Sequence, residues 1–156
     1  EFNHFVVLAD ILEHLLGRKL EPEDTIQLPE EKKLGDVRRS CVAGGNPIDG
    51  AAVAFTEGGG AALFRVGAQL DGSEINRMTA TAMQVIFDDE KDHYMVQAEA
   101  AGGLIADAAG LLRMQEALHK ISMQRVRMRN EMFRTAMSDE EIDSFIAARA
   151  APSAGR

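Results

Sequence analysis

The chain has a single cysteine, Cys41, no tryptophan, one tyrosine and four prolines in 156 residues. One thiol excludes an internal disulfide and any cysteine-based zinc cluster. It reads as an inert group near a strand end, in a cytoplasmic or other reducing compartment, and leaves an intermolecular bridge as the sole disulfide open to it. Without tryptophan, and with Tyr94 remote from the most basic stretch, there is no aromatic platform on which nucleic-acid bases would stack. No apolar run approaches the roughly 20 residues that cross a bilayer, so the expectation is a soluble or peripheral protein with no membrane span.

Chemical motifs are as scarce as these residue types. Gly58-Gly59-Gly60 has no following Lys-Ser pair and precedes a strand-like rather than a helix-like stretch, which argues against a phosphate loop. Asp88, Asp89, Glu90, Asp92 and His93 lack the spaced ligands, central glycine and closing glutamate of a calcium loop, and read as a solvated turn. Asp10 and His14 stand one helical turn apart, but two ligands do not make a metal site. Ser40 and Cys41 have no histidine near them in sequence. The expectation is therefore no catalytic residue, no metal and no cofactor, and an enzyme is the less favoured reading.

What is present is an ordinary globular balance, 46% hydrophobic and 27% charged, long enough to bury a core without staples. We read one domain over residues 1–149 and a flexible tail over 150–156. The chain begins at Glu1 without a methionine, which reads as processing or as a fragment. The net charge of −8 is uneven. Between Arg113 and Arg134 six basic residues outweigh two acidic ones for a net +4, so the rest carries −12. Nucleic acid is an improbable partner for such a chain.

Along the chain, Phe5, Leu8, Leu12 and Leu15 fall on one side of an N-terminal helix from about Asn3 to Leu16, with Gly17 placed to end it. Asp10 and Glu13 interrupt its apolar run and no basic segment precedes it, so it reads as a buried helix rather than a signal peptide. A charged, proline-punctuated stretch from Glu21 to Lys33 reads as an extended loop or a reaching arm. Arg38 to Ala43 suggests a strand closed by a turn at Gly44-Gly45-Asn46-Pro47. Ala52 to Thr56 and Ala61 to Leu70 suggest a hairpin across Glu57-Gly58-Gly59-Gly60, because Phe64, Val66, Ala68 and Leu70 alternate with Arg65 and Gln69.

Ser73 is placed to cap a short helix through Glu74 to Met78. From Ile75 to Phe87 two periods compete: Ile75, Met78, Ala82 and Ile86 fit a helix, while Met83, Val85 and Phe87 fit a strand. The strand is preferred over about Ala82 to Phe87, since Tyr94 to Glu99 then answers it across the charged turn. Ser138-Asp139-Glu140-Glu141 is a capping box opening a last helix with Ile142, Phe145 and Ile146 on its apolar side. The predicted fold class is α+β: a small antiparallel sheet of about four strands, an N-terminal helix, a long C-terminal helix and a short capped terminal helix.

The long helix, from about Leu104 to Met137, carries the functional expectation. Leu111, Met114, Leu118, Ile121, Arg125, Met128 and Met132 form a stripe at alternating spacings of three and four. Methionines suit adaptable surfaces, and an arginine on an apolar seam needs a carboxylate or an exit to water. The opposite face repeats Arg113, Lys120, Arg127 and Arg134 every seven residues, with Glu116 to Lys120 and Glu131 to Arg127 as candidate intrahelical pairs. We therefore expect a non-enzymatic protein–protein interaction module, an adaptor, chaperone-like or structural subunit of a complex. Those seven residues would bind another chain or a second copy in a homo-oligomer. The alternatives are a small-ligand-binding domain or enzyme with a pocket between sheet and helix near Arg65 or Tyr94, and nucleic-acid binding through the basic helix.

Overall fold

The computed structural model describes residues 2–56 and 60–150, except for the side chains at 94, 149 and 150. The expected glycine-rich turn at Glu57-Gly58-Gly59, the tail beyond 150 and the environment of the Tyr94 side chain lie outside the described residues. Eight α-helices follow one another among them: α1 (Phe2–Leu16), α2 (Pro29–Ala43), α3 (Pro47–Phe55), α4 (Ala61–Gly67), α5 (Glu74–Glu90), α6 (His93–Gly103), α7 (Ala108–Phe133) and α8 (Asp139–Ala150). A 3-10 turn, Pro22–Asp24, lies between α1 and α2.

No strand occurs among the described residues, and the predicted α+β class with its antiparallel sheet is overturned: the chain is all-helical there. Two kinds of misreading explain the error. The first concerns proline. Asn46-Pro47, read as a turn, is a helix start in which the Asn46 side chain accepts the Ile48 N–H (2.9 Å) and Pro47 takes the first helical position, where a missing N–H costs nothing. Pro29 does the same for α2, with Glu30 and Glu31 in the first turn where the helix dipole favours acids. The second concerns period. Short apolar runs satisfy spacings of two and of three or four together, and the helical alternative prevails at 74–90 because Ala82 and Ile86 share one face, both buried.

The chain divides into two compact units, each assembled from two stretches: Glu1–Ile26 with Glu57–Ala98, and Gln27–Thr56 with Glu99–Arg156. In the first, α5 is the central helix, with α1 and α4 packed on it. Close approach of α4 depends on Gly67, where an added Cβ would lie 2.7 Å from Met83 Cγ and 3.2 Å from Met83 Cβ. α5 ends in Asp88, Asp89 and Glu90, the wrong charge for a helix C-terminus. The acids are met individually, by Lys91 at Asp88 (3.0 Å), His4 of α1 at Asp89 (3.0 Å) and His93 at Glu90 (3.1 Å).

α1 stops at Gly17, which takes φ +68° and sends its N–H to the Glu13 carbonyl (2.9 Å). Beyond it the connector is not a free loop. Glu13 accepts bonds from Lys19 Nζ (2.6 Å) and the Leu20 N–H (3.2 Å), and Arg18 grips both oxygens of Asp24 (2.6 Å each).

In the second unit, α7 is the spine against which α2, α3 and α8 pack. Its core joins Leu34 and Cys41 of α2, Ala52 of α3, Ala101 at the end of α6 and Met114, Ala117 and Ile121 of α7. Fully burying a side chain such as Ile121 contributes about 1.5–3 kcal/mol. α7 is shorter than predicted at both ends. Asp107 accepts the Gly110 N–H (2.7 Å) and opens the helix, so Leu104 precedes it. Arg134 adopts a left-handed conformation (φ 54°, ψ 38°) and closes it, with the Thr135 N–H on the Asn130 carbonyl (2.9 Å) and the Arg134 N–H on that of Glu131 (3.3 Å). This is a Schellman ending with arginine where glycine is usual. The predicted capping box is present at α8: Glu141 N–H reaches Ser138 Oγ (3.2 Å) and Ser138 N–H reaches Glu141 Oε2 (2.7 Å).

Candidate functional site

The seven stripe residues of α7 divide into two rows, each at sevenfold spacing. Met114, Ile121 and Met128 form the inner row: the first two are buried and Met128 is half-buried against the same core. Leu111, Leu118, Arg125 and Met132 form the outer row, about 60° round the helix. Leu111 and Met132 are exposed, while Leu118 and Arg125 are half-buried. A stripe that looked like surplus apolar surface is thus half consumed by α2 and α3. Leu112 and Phe133, outside the stripe, add exposed apolar area at the two ends of α7.

The packing is tight where the inner row works. Ile48 of α3 approaches Gly110, at which a Cβ would stand 3.3 Å from Ile48 Cδ1. Gln124 is buried and polar, and its amide donates to the Glu30 carbonyl (3.0 Å) and to Glu30 Oε2 (2.7 Å). Glu131 accepts the Glu30 N–H (2.8 Å). The cap residue of α2, Leu28, has no side-chain oxygen, so a carboxylate from α7 satisfies an amide that α2 leaves open. Bonds from Lys33 and then Gln124 hold the Glu30 carboxyl below the ordinary carboxylate range.

The basic face of α7 is spent largely on neighbouring helices. Arg113 binds Asp49 of α3 through two bonds (2.9 and 2.7 Å), and Arg127 binds Asp139 of α8 likewise (2.9 and 2.8 Å). Lys120 Nζ lies 3.5 Å from Ser40 Oγ, and His119 lies 3.3 Å from Asp143. The hydrogen bonds that Arg127 donates to Asp139 hold its guanidinium above the ordinary value and, reciprocally, lower the Asp139 carboxyl. Glu131 serves α2 and Arg127 serves α8, so the expected Glu131–Arg127 pairing gives way to contacts between helices.

A second surface lies on α1. Taking about 100° per residue, Phe2, Phe5, Leu8, Leu12, Leu15 and Leu16 occupy one arc of about 140°, with only Ala9 among them. All six are exposed, Phe2 at 77%, Phe5 at 59% and Leu15 at 62%. The opposite arc carries His4, Val7 and Ile11, half-buried on the side where His4 meets α5. No residue of α1 is buried, which corrects the expectation of a buried helix. The signal was legible: ten of its fifteen residues are apolar, more circumference than one neighbouring helix covers.

Ser40 and Cys41 share α2, with the thiol buried in the core and the serine hydroxyl donating to the Val37 carbonyl (2.7 Å). His14 and Asp10 are both exposed. No group of three or more His, Cys, Asp or Glu that would hold a metal occurs among the described residues. Arg65 is an exposed residue of α4, and the sheet on which a neighbouring pocket depended is absent among the described residues. No described helix is long and apolar enough to cross a membrane. Set against protein-family models, curated proteins and solved structures, the chain matches none of them.

Proposed function

We propose that this chain is a non-enzymatic interaction module, an adaptor, chaperone-like or structural subunit whose work is to bind protein. One observation carries the reading. Among the described residues the large apolar side chains that stay exposed, from Phe2 to Phe145, far outnumber the buried ones, Leu34, Ile86, Met114, Ile121 and Ile142. Scattered apolar residues are normal on any surface, but contiguous apolar faces such as that of α1 mark contact surfaces. The outer row of α7, Leu111, Leu118, Arg125 and Met132, is a second contact surface, exposed at its two ends by Leu111 and Met132 and half-buried between them at Leu118 and Arg125. Met114 and Ile121 act as its support rather than as contacts. The lone, buried thiol of Cys41 fits a reducing compartment.

The test is the native mass of the full chain, pure and in extract from its source cells, with the chain tagged. A mass above 17.0 kDa, or a stoichiometric partner, is the expected result. Leu111→Asp with Met132→Asp, or Phe5→Asp alone, then lowers partner recovery at least tenfold while helicity by circular dichroism is retained. A monodisperse monomer without a stoichiometric partner in extract overturns the reading.

A further inference from the structure

The exposed face of α1 has a register that closes on itself. Phe5, Leu8, Leu12 and Leu15 follow at spacings of three, four and three, the seam of a two-stranded coiled coil. In an antiparallel pair the first seam position of one helix meets the last of the other. Phe5 then falls opposite the partner's Leu15 and Leu8 opposite the partner's Leu12, so that all four layers are apolar. Phe2, Ala9 and Leu16 widen the same stripe, and Asp10, Glu13 and His14 lie outside it, so no like charges are brought face to face. Opposed helix dipoles favour that orientation over a parallel one.

We infer that α1 pairs antiparallel with α1 of a second copy, making the protein a two-fold symmetric dimer. This deepens the interaction reading and rests on it. The six large residues, Phe2 to Leu16, expose on the order of 600 Å² in each copy, the most that this pairing hides. Two copies together then remove at most about 1,200 Å², the lower edge of what specific stable interfaces bury. The stripe carries no charge that would select an oppositely charged partner, and a face that fills its own layers needs no other chain. A dimer of this size is a concentration-dependent one.

Sedimentation equilibrium of the full chain over a range of concentrations tests this, with twice the 17.0-kDa chain mass expected at the top of the range. Leu8→Glu and Leu12→Lys each place a charge in the seam and should raise the dissociation constant about 100-fold. Neither position is buried in α1, so both variants keep their helicity. Mixing the two variants brings Glu and Lys opposite each other and restores association. A folding defect in a single variant would not be repaired in this way. As an independent readout, a mixture of Leu8→Cys and Leu12→Cys chains should cross-link on oxidation more readily than either alone. A wild-type dimer that neither charge weakens, or a mixture that fails to recover, overturns the α1 pairing and leaves the wider interaction reading standing. A monomer at every concentration also overturns it, whether free, held on lipid vesicles or captured by another chain; the extract experiment decides the wider reading separately.

Discussion

Ile121 and Met132 are both apolar, both on α7 and both part of one sequence stripe, yet their surroundings assign them opposite work. Ile121 is fully enclosed by α2 and α3, whereas Met132 is 48% exposed. Ile121→Ala should cost about 3 kcal/mol by urea denaturation, through lost transfer energy plus a cavity, while Met132→Ala should change stability by less than about 0.5 kcal/mol. A reversed ranking would show that the two rows of α7 have been exchanged. Asp24 offers a test by pH. Arg18, and then the Glu21 N–H, lower its carboxyl from 3.8 to about 2. A carboxyl so depressed contributes stability that is complete above pH 3.8 and lost as pH falls through about 2. Carbon NMR of Asp24 should therefore titrate near 2, and Arg18→Ala should return the midpoint towards 3.8.

At the scale of the element, α7 stores a small strain at its end. Arg134 holds φ +54°, a conformation that costs an L-residue about 1 kcal/mol and glycine almost nothing. Arg134→Gly should raise the unfolding free energy by about 1 kcal/mol, measured by denaturant titration, with no change in the Asn130–Thr135 bonds that close the helix. The legibility of the elements followed the same local chemistry. Starts and stops written in side-chain hydrogen bonds or glycine, such as Ser73, Ser138-Glu141 and Gly17, were readable from sequence. The start of α2 was marked locally only by Pro29 and the acids that follow it, which also suit a loop; the carboxylate that serves its Glu30 amide comes from Glu131, and no local window contains it. The alternation Phe64, Val66, Ala68, Leu70 also satisfied a strand, yet its first half is helical and α4 ends at Gly67, where it lies close to Met83 of α5. At the candidate site, the stripe on α7 was legible but its division was not: periodicity gives the direction of a side chain and says nothing of what stands there to cover it.

At the scale of the whole molecule, stability should be distributed unevenly. Amides of α7 between Ala117 and Gln124 sit over the buried core and should be the slowest to exchange with deuterium. Those of α1, which buries no residue, should exchange fastest among the long helices in dilute protein. Their protection should rise with protein concentration while that of α7 stays constant. Equal protection of α1 at all concentrations would mean that its apolar face is not what association covers.

The Glu131–Glu30 hydrogen bond joins residues 101 positions apart. It makes the beginning of one helix conditional on the near-completion of another, because the amide that Glu131 serves has only water until that later segment arrives. During synthesis, residues 29–43 would therefore emerge with a loose leading turn and tighten once the spine is in place. Folding of this unit should be timed by closure of that long intervening loop, and not by how quickly its helices form alone.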